Sequence, residues 1–252
     1  GVALRLARRL QAAALRRDEI PENLPEVPAK LLALIRRETV LPRLAQLDKR
    51  ISPRDGFAKY LFRGAGPAPF EAVRIPLLHR PGQEKYIVCV SSQVGCELGC
   101  VFCATGRLGF TRNLETWEMV DQVVQIAKDS EYPVRGVVFM GMGEPLLNYE
   151  NVIRAARVLS EPCGAAIPAK GISISTAGIV PGIRRFTADR LPFRLIVSLT
   201  SADPARRRKL MPVTAVHPLP ELVAAVREYH SVSGQRVTLA WTMISGFNTR
   251  EA

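Results

Sequence analysis

Apolar and polar positions follow two different periods along this chain. Residues 1–17 and 29–48 repeat apolar side chains at helical spacing with arginines between them, which predicts two amino-terminal helices. The stretch IPENLPEVP between these segments holds three prolines and predicts a loop. Residues 51–88 have the pattern of a strand, a Gly/Pro turn and a second strand, which predicts a small β-rich accessory layer.

From residue 86 onward, predicted strands alternate with predicted helices. The strands are rich in Val, Ile, Leu and Phe with little polar alternation, as parallel strands buried on both faces are. Such alternation favours an α/β fold, and five units favour a barrel or part of one. The predicted strands are 86–91, 135–140, 171–176, 193–199 and 236–244, and the predicted helices are 115–129, 149–159, 182–189 and 219–230.

Composition and charge narrow the class of protein. Of the 252 residues, 47% are hydrophobic, so a sizeable core can be buried. No stretch approaches the roughly 18–20 apolar residues of a membrane helix, and the basic amino terminus lacks the apolar centre of a secretory signal. We therefore expect no membrane partner and a cytoplasmic location. The net charge of +12 suits a polyanion such as a nucleic acid, although a solvated basic surface is the alternative.

Four of the five cysteines lie within fifteen residues. Cys96, Cys100 and Cys103 form a CxxxCxxC motif between a predicted strand and a predicted helix. A zinc ribbon would need a second pair of ligands, and the three histidines are scattered. Three thiolates on one loop leave a coordination position open, which an iron–sulfur cubane with one open iron satisfies. Gly95 and Gly99 let the chain fold tightly there. Structural or zinc-binding cysteines are the alternative.

The aromatic residue before the third cysteine, Phe102, makes this motif resemble that of the radical-SAM superfamily. The resemblance implies a [4Fe-4S] cluster on Cys96, Cys100 and Cys103 whose open iron binds the amino and carboxylate groups of S-adenosylmethionine (SAM). It also implies that one electron, from a donor such as flavodoxin, leads to cleavage of the sulfonium and to a 5′-deoxyadenosyl radical.

Several further stretches, from about residue 52 to the end, resemble the RlmN/Cfr family of radical-SAM RNA adenine methyltransferases. The resemblance implies methylation of an adenine in ribosomal RNA, transfer RNA or both, at C2 in preference to C8. The stretches are CVSSQVGC (89–96), GFTRNL (109–114), FMGMGEPLLN (139–148), SISTAG (173–178) and RKLMPV (208–213).

The same resemblance implies which residues bind SAM. Gly143 and Glu144, in the GMGEP motif after the second barrel strand, match positions that contact the methionyl part, although an ordinary Gly-rich turn is the alternative. Ser175, at the end of the third strand, matches a SAM-contacting serine. A segment after the fourth strand matches one that contacts the SAM ribose: Ser198, Leu199 and Thr200. The family usually has histidine where Thr200 stands.

Two further residues match catalytic positions of the family. There, a distal cysteine is first methylated, the radical takes hydrogen from that methyl group, and the resulting carbon radical adds to adenine. Cys89 matches the thiol that resolves the adduct by forming a disulfide with the distal cysteine. Glu71 matches the proton-accepting glutamate. Taken alone, Cys89 could be a small buried hydrophobe, and Glu71 could be an ordinary strand carboxylate.

These matches suggest an α/β protein in three parts. We expect a helical region over 1–50, a β-rich accessory segment over 51–85, and an incomplete (βα)6 radical-SAM barrel over 86–252. The family continues with a sixth strand, a SAM-contacting asparagine and the methyl-carrying cysteine, so we expect either a fragment or a protein that has lost the methyl-carrying step. Cys163 is expected on the opposite side of the barrel and cannot easily substitute.

Two other functions stay open at this point. One is a radical-SAM enzyme of this family with a diverged, non-RNA substrate, because Ala240 and Trp241 stand in the fifth strand where the family tends to have an acidic residue. The other is a catalytically impaired RNA-binding paralogue. Basic residues suggest RNA contacts, although the run 206–209 is equally consistent with a solvated face. The candidate contacts are Arg107, Arg112, Arg206, Arg207 and Arg208.

Overall fold

The computed structural model describes residues 4–17, 19–78 and 81–249. Two helices come first, α1 (Leu4–Arg17) and α2 (Ala29–Glu38). The helix predicted over 29–48 is therefore too long, and its last residues belong to a strand. The reason is Pro42, which cannot donate a helical hydrogen bond and disfavours helical geometry in the residue before it. Leu44 is buried nonetheless, and its N–H donates to Asp121 Oδ2 at 2.7 Å.

Ten strands form two sheets in the described part of the chain. The large sheet has eight strands in the order β1-β2-β3-β4-β7-β8-β9-β10, and β5 pairs with β6 in a separate hairpin. The strands are β1 (Ala45–Ile51), β2 (Ala58–Arg63), β3 (Phe70–Leu77), β4 (Lys85–Val90), β5 (Gln93–Gly95), β6 (Phe110–Asn113), β7 (Val134–Phe139), β8 (Ile172–Thr176), β9 (Arg194–Ser198) and β10 (Thr238–Ala240).

The large sheet confirms the predicted α/β fold with a parallel centre. Strands β4, β7, β8, β9 and β10 pair in parallel. The accessory strands β1 to β3 pair antiparallel and extend the same sheet from β4. Five helices lie between the parallel strands, as crossover connections require. They are α3 (Thr116–Lys128), α4 (Tyr149–Ser160), α5 (Val180–Ala188), α6 (Pro204–Leu210) and α7 (Leu219–Ser233).

The core lies between the helices and one face of the parallel strands. Most residues of β4, β7, β8 and β9 on that face are at most 1% exposed, as expected for side chains that alternate between two faces. They include Val88, Val137, Phe139, Ile174, Leu195 and Val197. The opposite face of the same strands, here called the inner face, carries half-buried and polar side chains.

Two short elements were not predicted, and one strand was predicted too long. The β5–β6 hairpin frames the cysteine motif, and α6 is capped by Asp203, whose side chain accepts from Arg206 N–H at 2.6 Å. Strand β10 covers only Thr238–Ala240 of the predicted 236–244. The residues after Ala240 instead fold into a turn around Asn248. No helix of the described residues has the length and apolar character needed to cross a bilayer.

Candidate active site

The cysteine motif lies in the loop that joins β5 to β6. Gly95 has φ +78°, and a side chain there would overlap the carbonyl of Gly109. That carbonyl accepts the Cys96 N–H at 2.8 Å, which closes the base of the loop. Gly99 has φ +61°, and Cys103 N–H donates to the Cys100 carbonyl at 3.0 Å. The tight folding predicted from the glycines is therefore observed.

The three motif thiols are free and close enough to influence one another. Cys96 is buried, whereas Cys100 and Cys103 are half-buried. Burial, reinforced by the two neighbouring thiols, raises the pKa of Cys100 to about 11. Burial also raises the pKa of Cys96, with a smaller contribution from the carboxylate of Glu144. The cysteine loop thus lies beside the GMGEP motif.

The three motif thiols supply the donor chemistry of an iron–sulfur cluster. Within residues 4–17, 19–78 and 81–249, no three Cys, His, Asp or Glu side chains converge to hold one metal ion. In a cubane, each thiolate binds a different iron, so the sulfur atoms stand farther apart than the ligands of one ion. Three free thiols on one loop therefore have the chemistry that a [4Fe-4S] cluster needs.

Hydrogen bonds join the GMGEP motif to the segment that follows β4. The Met142 carbonyl accepts the N–H groups of Ser92 and Gln93 at 2.9 and 3.1 Å. The Glu144 N–H donates to Gln93 Oε1 at 2.8 Å. Gly143 has φ +98°, and a Cβ there would stand 2.5 Å from the Gln93 Cβ. Only glycine permits this approach, which fixes where the next residue, Glu144, begins.

Glu144 is 2% exposed and joins the ends of two strands. Its Oε1 accepts Leu146 N–H at 3.0 Å, and its Oε2 accepts Ala177 N–H at 2.7 Å. Burial raises the pKa of this carboxyl to about 7, and those two backbone bonds act in the opposite direction. The side chain therefore has a structural task that the sequence motif alone did not reveal.

Strand register places four of the predicted site residues on the inner face. Residues paired across a sheet, and those two apart along a strand, share a face. Cys89 pairs with Val73 and Val138, and the same parity continues across β8 and β9. The four residues that share the inner face are Glu71, Cys89, Ser175 and Ser198.

The two predicted catalytic residues differ in environment. Burial raises the pKa of the Cys89 thiol to about 11, so it stays protonated at neutral pH. Glu71 is half-exposed, and its carboxylate forms an ion pair with Lys59 at 2.9 Å. The Glu71 carbonyl accepts the Ser91 hydroxyl, and its N–H contacts Met142 Sδ at 3.3 Å. The backbone of Glu71 is thus fixed, whereas its side chain has a weak, solvent-screened partner.

Thr200 has an unusual backbone and an unpartnered hydroxyl. It is fully buried, with φ +59°, in the left-handed region that β-branched residues rarely adopt. Its Oγ1 is buried without a hydrogen-bond partner in the described part of the chain. Buried hydroxyls are normally paired, so this oxygen suits a ligand that lies after β9. The fit of this segment to a polar cofactor therefore does not need the family's histidine.

The prediction that Arg207 contacts RNA is wrong, and the guanidinium group of Arg112 is already engaged within the protein. Arg207 is fully buried, and it binds the carbonyls of Ala177, Ser198 and Leu199 at 2.6, 3.2 and 3.1 Å. A basic run looks solvated in sequence, but α6 turns this one side chain inward. Arg112 is occupied by a bidentate bond to the buried Glu118, with both distances 2.7 Å.

Cys163, Gln93 and Asn148 lie outside the set of predicted site residues. Cys163 follows α4 and precedes β8, at the amino-terminal edge of the parallel strands and away from the motif cysteines, as expected. Sequence reasoning missed the buried amides of Gln93 and Asn148. Asn148 Nδ2 donates to the carbonyls of Ser92 and Leu114 at 2.8 and 2.7 Å. In the sequence, each of these two residues is marked only by a carboxamide side chain among mostly small or apolar neighbours.

Known proteins match this chain in sequence. Residues 90–252 match the family described as the radical SAM superfamily. A probable RNA methyltransferase of Myxococcus xanthus (strain DK1622) is 51% identical over 88% of this chain and 61% of its own length. The dual-specificity RNA methyltransferase RlmN of Syntrophobacter fumaroxidans is 46% identical over 79% of this chain and 57% of its own length.

A solved structure matches as well. The crystal structure of a radical SAM methyltransferase from Sphaerobacter thermophilus is 35% identical, with a TM-score of 0.86. The match covers 98% of this chain and 72% of that one. This chain thus spans about three fifths of the two curated relatives.

The superfamily match includes the cysteine loop, the GMGEP motif and all the parallel strands that follow them. Enzymes of this superfamily use a [4Fe-4S] cluster and SAM, which agrees with the free thiols and the polar strand ends. The resemblance seen in the motifs is confirmed, and the chain belongs to the radical SAM superfamily, where it groups with radical SAM methyltransferases.

Proposed function

We propose that the protein is a radical-SAM RNA methyltransferase that modifies an adenine of ribosomal RNA, transfer RNA or both, at C2 rather than C8. One observation carries this proposal. Cys89 and Glu71 share the inner face with Ser175 and Ser198, below the edge that holds the cysteine loop. Binding a cluster and SAM does not require that pair, whereas the RNA methyltransferase chemistry implied by the family resemblance does.

In this proposal, Cys96, Cys100 and Cys103 hold the [4Fe-4S] cluster. When bound, the cluster and SAM supply a carbon-centred radical. Gly143 lets the backbone pack against Gln93, which sets the position of Glu144, and the Glu144 carboxyl group would receive the SAM ammonium. Further polar groups at the strand ends would contact the rest of SAM: Ser175, Ser198, Leu199 and Thr200.

The inner face supplies the remaining chemistry. Burial favours the protonated form of Cys89, which would act as the resolving thiol at the end of the reaction by giving up that proton as its sulfur forms the disulfide. Glu71 accepts a proton once its exposed ion pair with Lys59 opens, which is a small cost for a solvent-screened pair. Both side chains reach the substrate from the same face.

An RNA substrate is supported by charge as well as by the relatives. The net charge is +12, and Arg107, Arg206 and Arg208 are exposed near the cysteine loop. Val101 N–H donates to the Leu210 carbonyl at 3.0 Å, so α6 lies against that loop. A flavodoxin-type electron donor and a cytoplasmic location complete the proposal, and both are open to direct test.

The test uses the full-length gene product with methyl-labelled SAM, a reductant and unmodified ribosomal or transfer RNA. Nucleoside analysis should find the label in 2-methyladenosine. Cys89→Ala should abolish released product and still permit SAM cleavage, whereas Cys163→Ala should behave like the wild type. Label in 8-methyladenosine would contradict the assigned carbon. SAM cleavage with no label in any RNA would contradict the RNA substrate and favour a diverged one.

A further inference from the structure

We propose that Asn248 is a positioning residue that holds Thr200 in its left-handed conformation and thereby fixes the segment 198–200 at the SAM site. The inference rests on the proposed function, because it takes this segment as part of the cofactor site. It assigns a task to a residue of the last described turn, which lies outside the motifs that led to the site.

Thr200 needs an external restraint. Its φ of +59° is unfavourable for a side chain branched at Cβ, and such strain persists only where surrounding contacts impose it. The neighbouring strand gives part of that restraint, since the Ala240 carbonyl accepts Leu199 N–H at 2.9 Å and Thr200 N–H at 3.3 Å. On the other side, Ser201 N–H donates to the Leu199 carbonyl at 2.6 Å and closes a tight turn around Thr200. None of these bonds engages the Thr200 carbonyl itself.

Asn248 holds the carbonyl side. Its Nδ2 donates to the Thr200 carbonyl at 2.7 Å and to the Thr242 carbonyl at 2.8 Å. Its Oδ1 accepts Ile244 N–H at 2.6 Å. Asn248 is 8% exposed, so these bonds form away from bulk water. The amide uses both donors and its acceptor, and it ties the turn after β10 to the end of β9.

Holding the Thr200 backbone also fixes the direction of its side-chain hydroxyl. The N–H and the carbonyl are both engaged, whereas Oγ1 is buried without a partner. A change in the φ angle of Thr200 would swing its carbonyl and its side chain together, so a bond that holds the carbonyl also holds the direction of the hydroxyl. Asn248 therefore sets the direction of the hydroxyl without itself contacting the ligand.

A double-mutant cycle isolates this role, with the dissociation constant of SAM for the reconstituted protein as the readout. Asn248→Ala should weaken SAM binding about tenfold, equivalent to about 1.4 kcal/mol. Asn248→Asp, which keeps the shape but lacks the donors, should do the same. Glycine adopts positive φ without strain, so in a Thr200→Gly background Asn248→Ala should change affinity by less than about twofold. Thr249→Ala, at an exposed neighbour, is the matched control.

Iron content and thermal unfolding are measured on every variant. If Asn248→Ala fails to fold, recovery of the fold in the double variant with Thr200→Gly supports the proposal, and no recovery overturns it. Equal SAM affinity of Asn248→Ala and the wild type also overturns it, as does an undiminished loss in the glycine background. If the wild type itself binds no SAM, the proposed function fails instead.

Discussion

Glu144 Oε2 accepts a 2.7 Å hydrogen bond from the backbone N–H of Ala177, which joins the end of β7 to the end of β8. The second oxygen accepts Leu146 N–H at 3.0 Å. The carboxyl group that we assign to the SAM ammonium is therefore also a brace between two strands. Its orientation is fixed before a ligand arrives, which favours binding because little side-chain freedom is lost.

The two backbone hydrogen bonds accepted by Glu144 lead to a first prediction. Glu144→Gln replaces one acceptor oxygen with an NH₂ group, so one of the two backbone N–H groups faces another donor. We expect a loss of about 1–3 kcal/mol in the free energy of unfolding, together with weaker SAM binding. Urea unfolding measures the first effect and equilibrium binding the second. Unchanged SAM affinity would contradict the ammonium-binding role, and unchanged stability would contradict the brace.

Gly143 and Gly99 give a matched pair for a second prediction. Both have positive φ, but a Cβ at Gly143 would stand 2.5 Å from the Gln93 Cβ, whereas a Cβ at Gly99 meets nothing within 4 Å. Gly99→Ala should cost about 1–2 kcal/mol of stability from backbone strain alone. Gly143→Ala should cost about 1–3 kcal/mol more from overpacking and should also weaken SAM binding. Equal losses in urea unfolding would show that the close approach is not limiting.

The ion pair between Arg112 and Glu118 predicts how stability depends on pH. Burial opposes ionisation of Glu118, but hydrogen bonds from Arg112 and from two backbone N–H groups outweigh it, so its pKa is lowered. A lowered folded-state pKa adds stability above the ordinary value of about 4.3, and this stability is lost as pH falls toward the folded-state pKa.

Glu118→Gln should therefore destabilise the protein at neutral pH and make its stability less dependent on pH below about 4.3. Because Glu118 is fully buried and Arg112 is one quarter exposed, we expect a loss of about 1–3 kcal/mol. Urea unfolding from neutral pH down to about pH 3 measures both effects. Parallel pH profiles for the variant and the wild type would rule out this linkage.

Arg207 and its neighbour Arg206 separate structure from RNA binding. Arg207 is fully buried and also donates to Thr214 Oγ1 at 2.6 Å, whereas Arg206 is exposed. Arg207→Ala leaves buried carbonyls without donors, so we expect a loss above about 3 kcal/mol. Arg206→Ala should change stability by less than about 0.5 kcal/mol and should weaken RNA binding in a salt-dependent way. The reverse outcome in unfolding and RNA-binding assays would refute both assignments.

The sequence predicts four of the five parallel strands to within about one residue, because each is a short run rich in Val, Ile, Leu or Phe. It also predicts the tight cysteine loop, because Gly95 and Gly99 mark positive φ. It does not predict that Arg207 is buried, since only the position of α6 against β8 and β9 turns that side chain inward. The bond from Asn248 to Thr200 spans 48 residues, and no local pattern encodes it.

The central claim is that Cys96, Cys100 and Cys103 together hold one cubane that serves SAM cleavage. The most direct measurement is iron and sulfide content after anaerobic reconstitution, followed by assay of 5′-deoxyadenosine formed from SAM under reduction. We expect about four irons per chain and deoxyadenosine from the wild type and from Cys163→Ala. Neither should be found when any one of the three motif cysteines is replaced by alanine. A stoichiometric zinc ion in place of iron, or full SAM cleavage by a motif-cysteine variant, would contradict it.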